Sequence, residues 1–307
     1  MEKYYITTPI YYVNDKPHIG HAYTTILADT ISRFRALIGE KPTFLTGLDE
    51  HGLKVQQAAE KNGKAPQDHC DSMAPAFIDL WKKLNINYSD FIRTTEHRHT
   101  KIVQQILTKV HESGDIYMDE YEGWYSISEE RFITEKELDS GQFGEVKQIK
   151  EKNYFFRMSK YQATLIDRIE KDELLIQPKS RKNEVLGFLK NELSDLCISR
   201  PKSRLEWGIE LPFDDNYVTY VWFDALINYI SAIGAYSNDE HFSSLWPADV
   251  HLIGKDILTT HSVYWPTMLL SLGLPLPQRI FAHGWWLTDD QKMSKSLGNV
   301  VSPLMLI

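Results

Sequence analysis

Two short segments at opposite ends of the chain carry the residue types that grip phosphate. Near the start, His18-Ile19-Gly20-His21 follows an apolar run at 4–12 and opens a helical pattern. Near the end, Lys292-Met293-Ser294-Lys295-Ser296 follows a strand-like run at 279–287. A helix N-terminus presents unpaired backbone N–H groups and the positive end of its dipole, so it attracts anions. Residues three apart share a helix face, so His18 and His21 can reach one set of phosphate oxygens. Lysine is a compact, mobile charge suited to a developing pyrophosphate, and Gly298 gives the lysine-bearing loop backbone freedom. Taken alone, the histidines could equally cap the helix or bind a metal as an H-x-x-H pair. Lys292 and Lys295 could equally form a solvated basic turn. Found together, in this order on a chain of alternating strands and helices, they point to a pocket for a nucleoside triphosphate.

The elements that must position them can be read from periodicity. The run 4–12 is rich in β-branched and aromatic residues and predicts a buried strand. Asn14, Asp15 and Pro17 predict a turn. A helix is expected over 19–37, ended by Gly39 and Pro42. Its positions Ile19, Ala22, Tyr23, Ile26, Leu27, Thr30, Ile31 and Phe34 form one apolar face. A strand at 41–46, a loop Gly47-Leu48-Asp49-Glu50-His51-Gly52 and a helix at 53–61 follow. This β-α-β-α order predicts a parallel sheet with helices on both faces. Helices at 66–84 and 97–113 flank a strand at 88–94. From 116 to about 207 the pattern changes to aromatic runs (117–125 and 154–158), charged turns and helices at 160–170 and 186–195, which reads as an inserted α+β unit. The α/β pattern resumes with a helix at 223–236, a strand at 249–253, a helix at 257–272 and the strand at 279–287.

Composition narrows the class. A length of 307 residues suggests about two domains, and 42% hydrophobic content is ample for a core. The formal net charge of −8 argues against a surface coated with cations for nucleic acid. It leaves room for local basic patches, of which Lys179-Ser180-Arg181-Lys182 and Arg200-Pro201-Lys202-Ser203-Arg204 are the densest; both could instead be solvated surface charge. Cys70 and Cys197 are the only cysteines, so neither a disulfide scaffold nor a four-cysteine metal site is implied. The N-terminus lacks the pattern of a signal peptide, and no apolar run reaches the ~18 residues of a membrane span. The reading is a soluble cytoplasmic enzyme with no membrane partner.

The two phosphate-gripping segments look like the paired signatures of class I aminoacyl-tRNA synthetases, and the second is an unaltered five-residue match. Further segments resemble the methionyl-tRNA synthetase family and span essentially the whole chain: Thr7-Thr8-Pro9-Ile10-Tyr11-Tyr12-Val13-Asn14, Thr46-Gly47-Leu48-Asp49-Glu50-His51-Gly52, Tyr220-Val221-Trp222-Phe223-Asp224-Ala225, His251-Leu252-Ile253-Gly254-Lys255-Asp256 and His283-Gly284-Trp285-Trp286. The resemblance implies a Rossmann-like α/β catalytic domain with an inserted α+β connective domain, divided as 1–115, 116–212 and 213–307. It implies ATP-dependent activation of L-methionine to methionyl adenylate, then transfer to tRNA(Met). Asp49 would take the α-ammonium. Ile10, Tyr12, Trp222, Ala225, Tyr229, Ile257, His261 and Tyr264 would line the side-chain slot, where aromatic rings suit a polarizable sulfur. On spacing alone Trp222 and Tyr229 read as core, and His261 as a satisfied core histidine. ATP would be held by His18, Gly20, His21, Gly254, Asp256, Lys292 and Lys295, with Gly254 and Asp256 at the ribose. His18 and His21 would steady the α-phosphate, Lys295 aided by Lys292 the β and γ oxygens, and Mg²⁺ the remaining charge.

Rival readings are a synthetase for leucine, isoleucine or valine, a small nucleotidyltransferase, and a catalytically silent methionine-binding paralogue. The first usually carries an editing insertion larger than 116–207. Intact His18, His21, Asp49, Lys292 and Lys295 argue against the last. Homocysteine lacks one methyl, worth only ~1–3 kcal/mol in an apolar pocket, so clearance of misactivated homocysteine is expected. Two features depart from many relatives. The insert reads Tyr121-Glu122-Gly123-Trp124-Tyr125-Ser126-Ile127-Ser128-Glu129-Glu130 where paired C-x-x-C motifs would stand, so no structural zinc is expected. The family also continues past the lysine loop into a helical anticodon-reading domain, so the chain reads as a catalytic fragment with most tRNA affinity elsewhere.

Overall fold

Six parallel strands form the centre of the molecule, in the spatial order Asp90–Arg93 (β3), Lys41–Asp49 (β2), Lys3–Tyr12 (β1), Val250–Gly254 (β12), Arg279–His283 (β13) and Leu175–Gln177 (β7). The computed structural model describes residues 2–126, 131–133, 138–139, 145–288, 291–292 and 301–306. Strands β1 (Lys3–Tyr12), β2 (Lys41–Asp49) and β3 (Asp90–Arg93) are linked by helices α1 (Ile19–Leu37), α2 (Leu53–Lys61) and α3 (Pro66–Lys83), and α4 (His97–Glu112) follows β3. The inserted region supplies an antiparallel sheet of β4 (Ile116–Ser126), β5 (Arg131–Ile133), β6 (Val146–Phe156) and β8 (Leu196–Cys197), in the order β5-β4-β6-β8. A second small sheet follows, with β9 (Ser199–Pro201), β10 (Glu210–Leu211) and β11 (Asp214–Thr219) in the order β10-β11-β9. Strand β7 (Leu175–Gln177) lies within the 116–212 segment yet hydrogen-bonds to the edge of the central sheet beside β13 (Arg279–His283). Strand β12 (Val250–Gly254) completes the sheet beside β1. The result is a Rossmann-like α/β fold carrying an antiparallel insert.

Periodicity located α1 and α2 but misjudged which face of α1 is inside. The buried residues are Ala22, Thr24, Thr25, Ala28, Asp29 and Ser32, while Ile26 and Phe34 are 41% and 56% exposed. Small side chains let the helix lie close to the sheet, and Asp29 earns its burial by accepting from Asn87 N–H at 2.8 Å and from Arg33 at 2.7 Å. Strand β2 runs three residues beyond the expected 41–46, because Gly47 and Leu48 continue the ladder to Ile92 and Arg93. The helix expected at 186–195 instead spans Lys179–Phe188. The helix expected at 223–236 breaks into Val221–Ala225 and Asn228–Ser231. That stretch is buried on nearly every side, so a one-face pattern carries little signal. The helix expected at 257–272 begins with a 3₁₀ turn, Lys255–Ile257, and contains a π turn, Thr260–Tyr264, before Trp265–Ser271. Pro266 has no N–H to give the preceding turn, and a wider turn avoids the clash its ring would make there.

Five of the residues in the basic segments have internal partners. Arg181 pairs with Glu184, Lys182 with Asp172, Lys202 with Glu210 and Arg204 with Glu151. Arg200 is 4% exposed, donates to Ser199 O at 2.6 Å and lies 4.6 Å from the Tyr220 ring centroid. These side chains therefore do not make a bare cationic surface.

The β2–β3 contact is tight at one point. A Cβ on Gly47 would lie 2.0 Å from the Ile92 carbonyl oxygen, so any side chain there pushes the strands apart. Gly47→Ala is expected to cost about 3 kcal/mol or more, the upper range for overpacking, read as a lowered urea midpoint.

Candidate active site

A cleft of about 430 Å³ opens at the carboxyl ends of β1, β2, β12 and β13. In an open α/β sheet this edge is the natural ligand crevice, above all between strands whose connections leave in opposite directions, as β1 and β12 do here. Pro9 initiates the shaping of its floor. Proline lacks an N–H, and the β1–β2 register shifts between Thr7 and Ile10, a bulge that turns Ile10 and Tyr12 toward the cleft.

The first turn of α1 forms one wall. His18 is its N-cap: Nδ1 accepts from the Gly20 N–H at 3.1 Å, and His21 Nδ1 accepts from the His18 N–H at 3.3 Å. The rings stack with centroids 3.7 Å apart. Both Nδ1 atoms act as acceptors, so each neutral ring carries its proton on Nε2. The cap thus uses Nδ1 of each ring. A Cβ at Gly20 would sit 2.9 Å from His18 Cε1, so only glycine lets the His18 ring fold over the turn. Tyr11 braces His21 from below, with centroids 4.7 Å apart and its hydroxyl 2.7 Å from Thr25 Oγ1.

The opposite wall carries the aromatic slot. Asp49, Trp222, Ala225, Tyr229, Ile257 and His261 line the cleft together with Ile10 and Tyr12. Tyr264, in the same π turn as His261, is not among the lining residues. His261 Nδ1 faces the Ile257 carbonyl at 3.0 Å and must donate to it, so Nε2 accepts the Tyr229 hydroxyl proton at 2.7 Å. Behind Tyr229, with centroids 4.2 Å apart, lies His251. Its Nε2 accepts from Trp265 Nε1 at 3.2 Å, leaving Nδ1–H to donate to Thr7 Oγ1 at 2.7 Å. Burial lowers His261 to about 4, against a smaller opposing effect of the Ile257 carbonyl, and burial also drives His251 well below its ordinary value. Both rings are neutral near pH 7.

Between the walls, Gly254 and Asp256 also line the cleft. Asp256 Oδ1 folds back over Gly254, where a Cβ would come within 2.5 Å, and accepts from Trp285 Nε1 at 3.2 Å. Lys255 Nζ stands 3.9 Å from the Trp285 ring centroid. Of the lysine signature, Lys292 is described only in its backbone, which pairs with Leu287. Met293, Ser294, Lys295 and Ser296 lie outside the described residues, as does Gly298.

The sequence family described as "tRNA synthetases class I (M)" matches residues 4–142 and 139–307. The chain belongs to that family. It is 52% identical over 310 residues to the methionine–tRNA ligase of Clostridium tetani, covering 99% of this chain and 48% of that protein. It is 49% identical over 321 residues to the methionine–tRNA ligase of Bacillus subtilis, with coverage of 99% and 48%. The chain thus spans about half the length of these curated relatives. The solved methionyl-tRNA synthetase of Mycobacterium tuberculosis in complex with methionyl-adenylate superimposes with a TM-score of 0.94 at 43% identity, covering 100% of this chain and 62% of that one. Its apo form gives a TM-score of 0.78 at 40% identity, covering 93% and 56%.

Several residues that help build this synthetase cleft were not singled out from the sequence. Asn228 lines it between Ala225 and Tyr229; its Nδ2 donates to Ala225 O at 2.6 Å, and its buried Oδ1 has no hydrogen-bond partner among the described residues. The helix break at 226–227 brings it there, and the continuous helix expected from periodicity hid it. His283 lines the cleft and meets Thr24 Oγ1 at 2.7 Å, while Lys54, Trp285 and Trp286 complete the mouth. The motif His283-Gly284-Trp285-Trp286 was the available signal. Among the described residues, no group of three or more His, Cys, Asp or Glu side chains is placed to hold a metal ion. None of the described helices is long and apolar enough to cross a membrane.

The depressed His261 value carries a pH prediction. Between about pH 6.5 and 4 the unfolded chain takes up a proton that the folded one refuses, so stability falls as pH drops through that window. His261 alone accounts for on the order of 3 kcal/mol of that loss. Thermal melts at pH 7 and pH 5 should show a clearly smaller drop in His261→Gln than in the unsubstituted chain.

Proposed function

We propose that the cleft activates L-methionine with ATP, forming methionyl adenylate, and that the longer protein transfers the product to tRNA(Met) in the cytoplasm. The observation that carries this reading is the union, in one cleft, of a helix N-terminus bearing two Nε2–H imidazoles with a slot of Asp49, Trp222, Ala225, Tyr229 and His261. The named relatives and the adenylate complex of the mycobacterial enzyme support it.

In this reading Asp49, at the end of β2, accepts the α-ammonium of methionine. Ile10, Tyr12, Trp222, Ala225, Tyr229, Ile257 and His261 surround the thioether. A neutral His261 matters here. A cation at the base of an apolar slot would cost several kcal/mol to bury and would draw water in. The methionine carboxylate attacks the α-phosphorus in line, and pyrophosphate leaves. The protein supplies positioning and charge, with no covalent nucleophile. The Nε2–H groups of His18 and His21 donate to α-phosphate oxygens as negative charge builds. Gly254 lets the ribose approach the backbone, and Asp256 accepts from its hydroxyls. Lys295, aided by Lys292, holds the leaving pyrophosphate, and Mg²⁺ accompanies ATP. The insert is read as the zinc-free form, and 1–115, 116–212 and 213–307 as the first catalytic half, the connective domain and the second catalytic half.

Pyrophosphate exchange with each of the twenty amino acids tests the reading. Methionine alone should support exchange; a leucine, isoleucine or valine signal would instead favour the aliphatic rival. Exchange should fall about 10²–10³-fold in His21→Ala and in Lys295→Ala, the usual loss when one donor to a developing charge is removed, while methionine affinity stays within about twofold. A normal exchange rate in either variant refutes that role.

A further inference from the structure

A buried polar chain runs behind the amino-acid side of the cleft. Asp224 is 0% exposed; its Oδ2 accepts from His51 Nδ1 at 2.6 Å and its Oδ1 from His99 Nε2 at 2.7 Å. His99 Nδ1 in turn meets Ser231 Oγ at 2.7 Å. Burial alone would raise the Asp224 carboxyl, yet the two imidazoles hold it below its ordinary range, so it is an ionised group in a dry interior.

None of these four side chains lines the cleft, yet the two helices that carry Asp224 and Ser231 also carry cleft residues, and His51 lies just beyond the strand that carries Asp49. His51 follows Asp49 by two residues at the end of β2. Asp224 sits between Trp222 and Ala225 on Val221–Ala225. Ser231 follows Tyr229 on Asn228–Ser231. His99 lies on α4 and joins the last two elements from behind. The chain of hydrogen bonds therefore ties the end of β2, which carries Asp49, to the two short helices that carry Trp222, Ala225 and Tyr229. A buried carboxylate costs several kcal/mol unless it is fully paired, and apolar residues of equal volume could fill the space at no loss of stability. What apolar packing lacks is direction. Bonds of 2.6–2.7 Å fix both separation and angle.

We propose that His51, Asp224, His99 and Ser231 are positioning residues that fix the gap between Asp49 and the Trp222–Ala225–Tyr229 wall, and through it the selectivity of the slot for methionine over other unbranched side chains. The proposal rests on the reading of the cleft as a methionine-activating site. It assigns the network to the amino-acid half of the cleft and leaves the nucleotide half to α1 and the Gly254–Asp256 turn.

The test compares the 307-residue chain with Asp224→Asn, which keeps the shape but removes one acceptor oxygen and the charge, and with His99→Gln. Separate KM values for methionine and ATP are measured by pyrophosphate exchange, with norleucine as the competing amino acid and circular dichroism as the check on folding. Displacement of a wall by about 1 Å can cost up to about a hundredfold. The expected result is a methionine KM raised about tenfold or more, an ATP KM within about twofold, and a narrowed preference for methionine over norleucine. Folded variants with unchanged methionine KM and selectivity overturn the proposal, as does an equal rise in both KM values. Failure of both variants to fold also overturns it, since the network would then be a stability element. If the unsubstituted chain shows neither methionine-dependent exchange nor methionine binding by calorimetry, the activating reading itself has failed. If it shows both and the variants match it, only the positioning role has failed.

Discussion

The open edge between β1 and β12 is the constraint on which the rest of the structure depends. These neighbours run parallel, but the chain leaves β1 through α1 and leaves β12 through the Lys255–Ile257 turn. No crossover can cover the place where the two connections diverge, so a crevice is left at the carboxyl ends. The same geometry points the N-terminus of α1 into that crevice, with its unpaired N–H groups and positive dipole end. The sheet thus provides a place for an anion before any functional side chain is added.

Regular backbone is given up where side chains must be aimed into that crevice. The bulge at Thr8 and Pro9 turns Ile10 and Tyr12, and the break at 226–227 brings Asn228 and Tyr229 to the cleft. The π turn presents His261. Each departure violates a local rule, and their concentration around one cavity is the pattern expected of a functional site. Tight backbone contact elsewhere keeps the frame rigid, as at Gly47 against Ile92.

The charge distribution divides the cleft in two. Along one side of the cleft, burial keeps His261 and, behind Tyr229, His251 neutral, and Asp49 also lines the cleft. Elsewhere along the cleft, His18 and His21 cap the N-terminus of α1, and Asp256 stands beside Lys255 and Trp285. In the basic clusters, Arg181, Lys182, Lys202 and Arg204 are held by acidic neighbours and do not line the cleft.

Sequence alone determined the strands and helices whose signals are local. The bounds of α1 and α2 follow from caps, breakers and a 3.6-residue period, and the parallel sheet follows from the alternation of elements. The paired histidines at the start of α1 were legible because His18, Gly20 and His21 interact within a single turn. Other features depend on partners far along the chain. The buried face of α1 was decided by close packing on β1 and β2, which selected small residues over the more apolar Ile26 and Phe34. Strand β7 joined the central sheet through Arg279 and its neighbours, about a hundred residues later. Asn228 and the chain from His51 through Asp224 to His99 became visible only once the fold had closed. A hydrogen bond between side chains 125 or 173 residues apart leaves no periodic trace in a sequence. Its geometry is fixed by tertiary contact, which excludes water and leaves each polar atom only the partners the fold supplies.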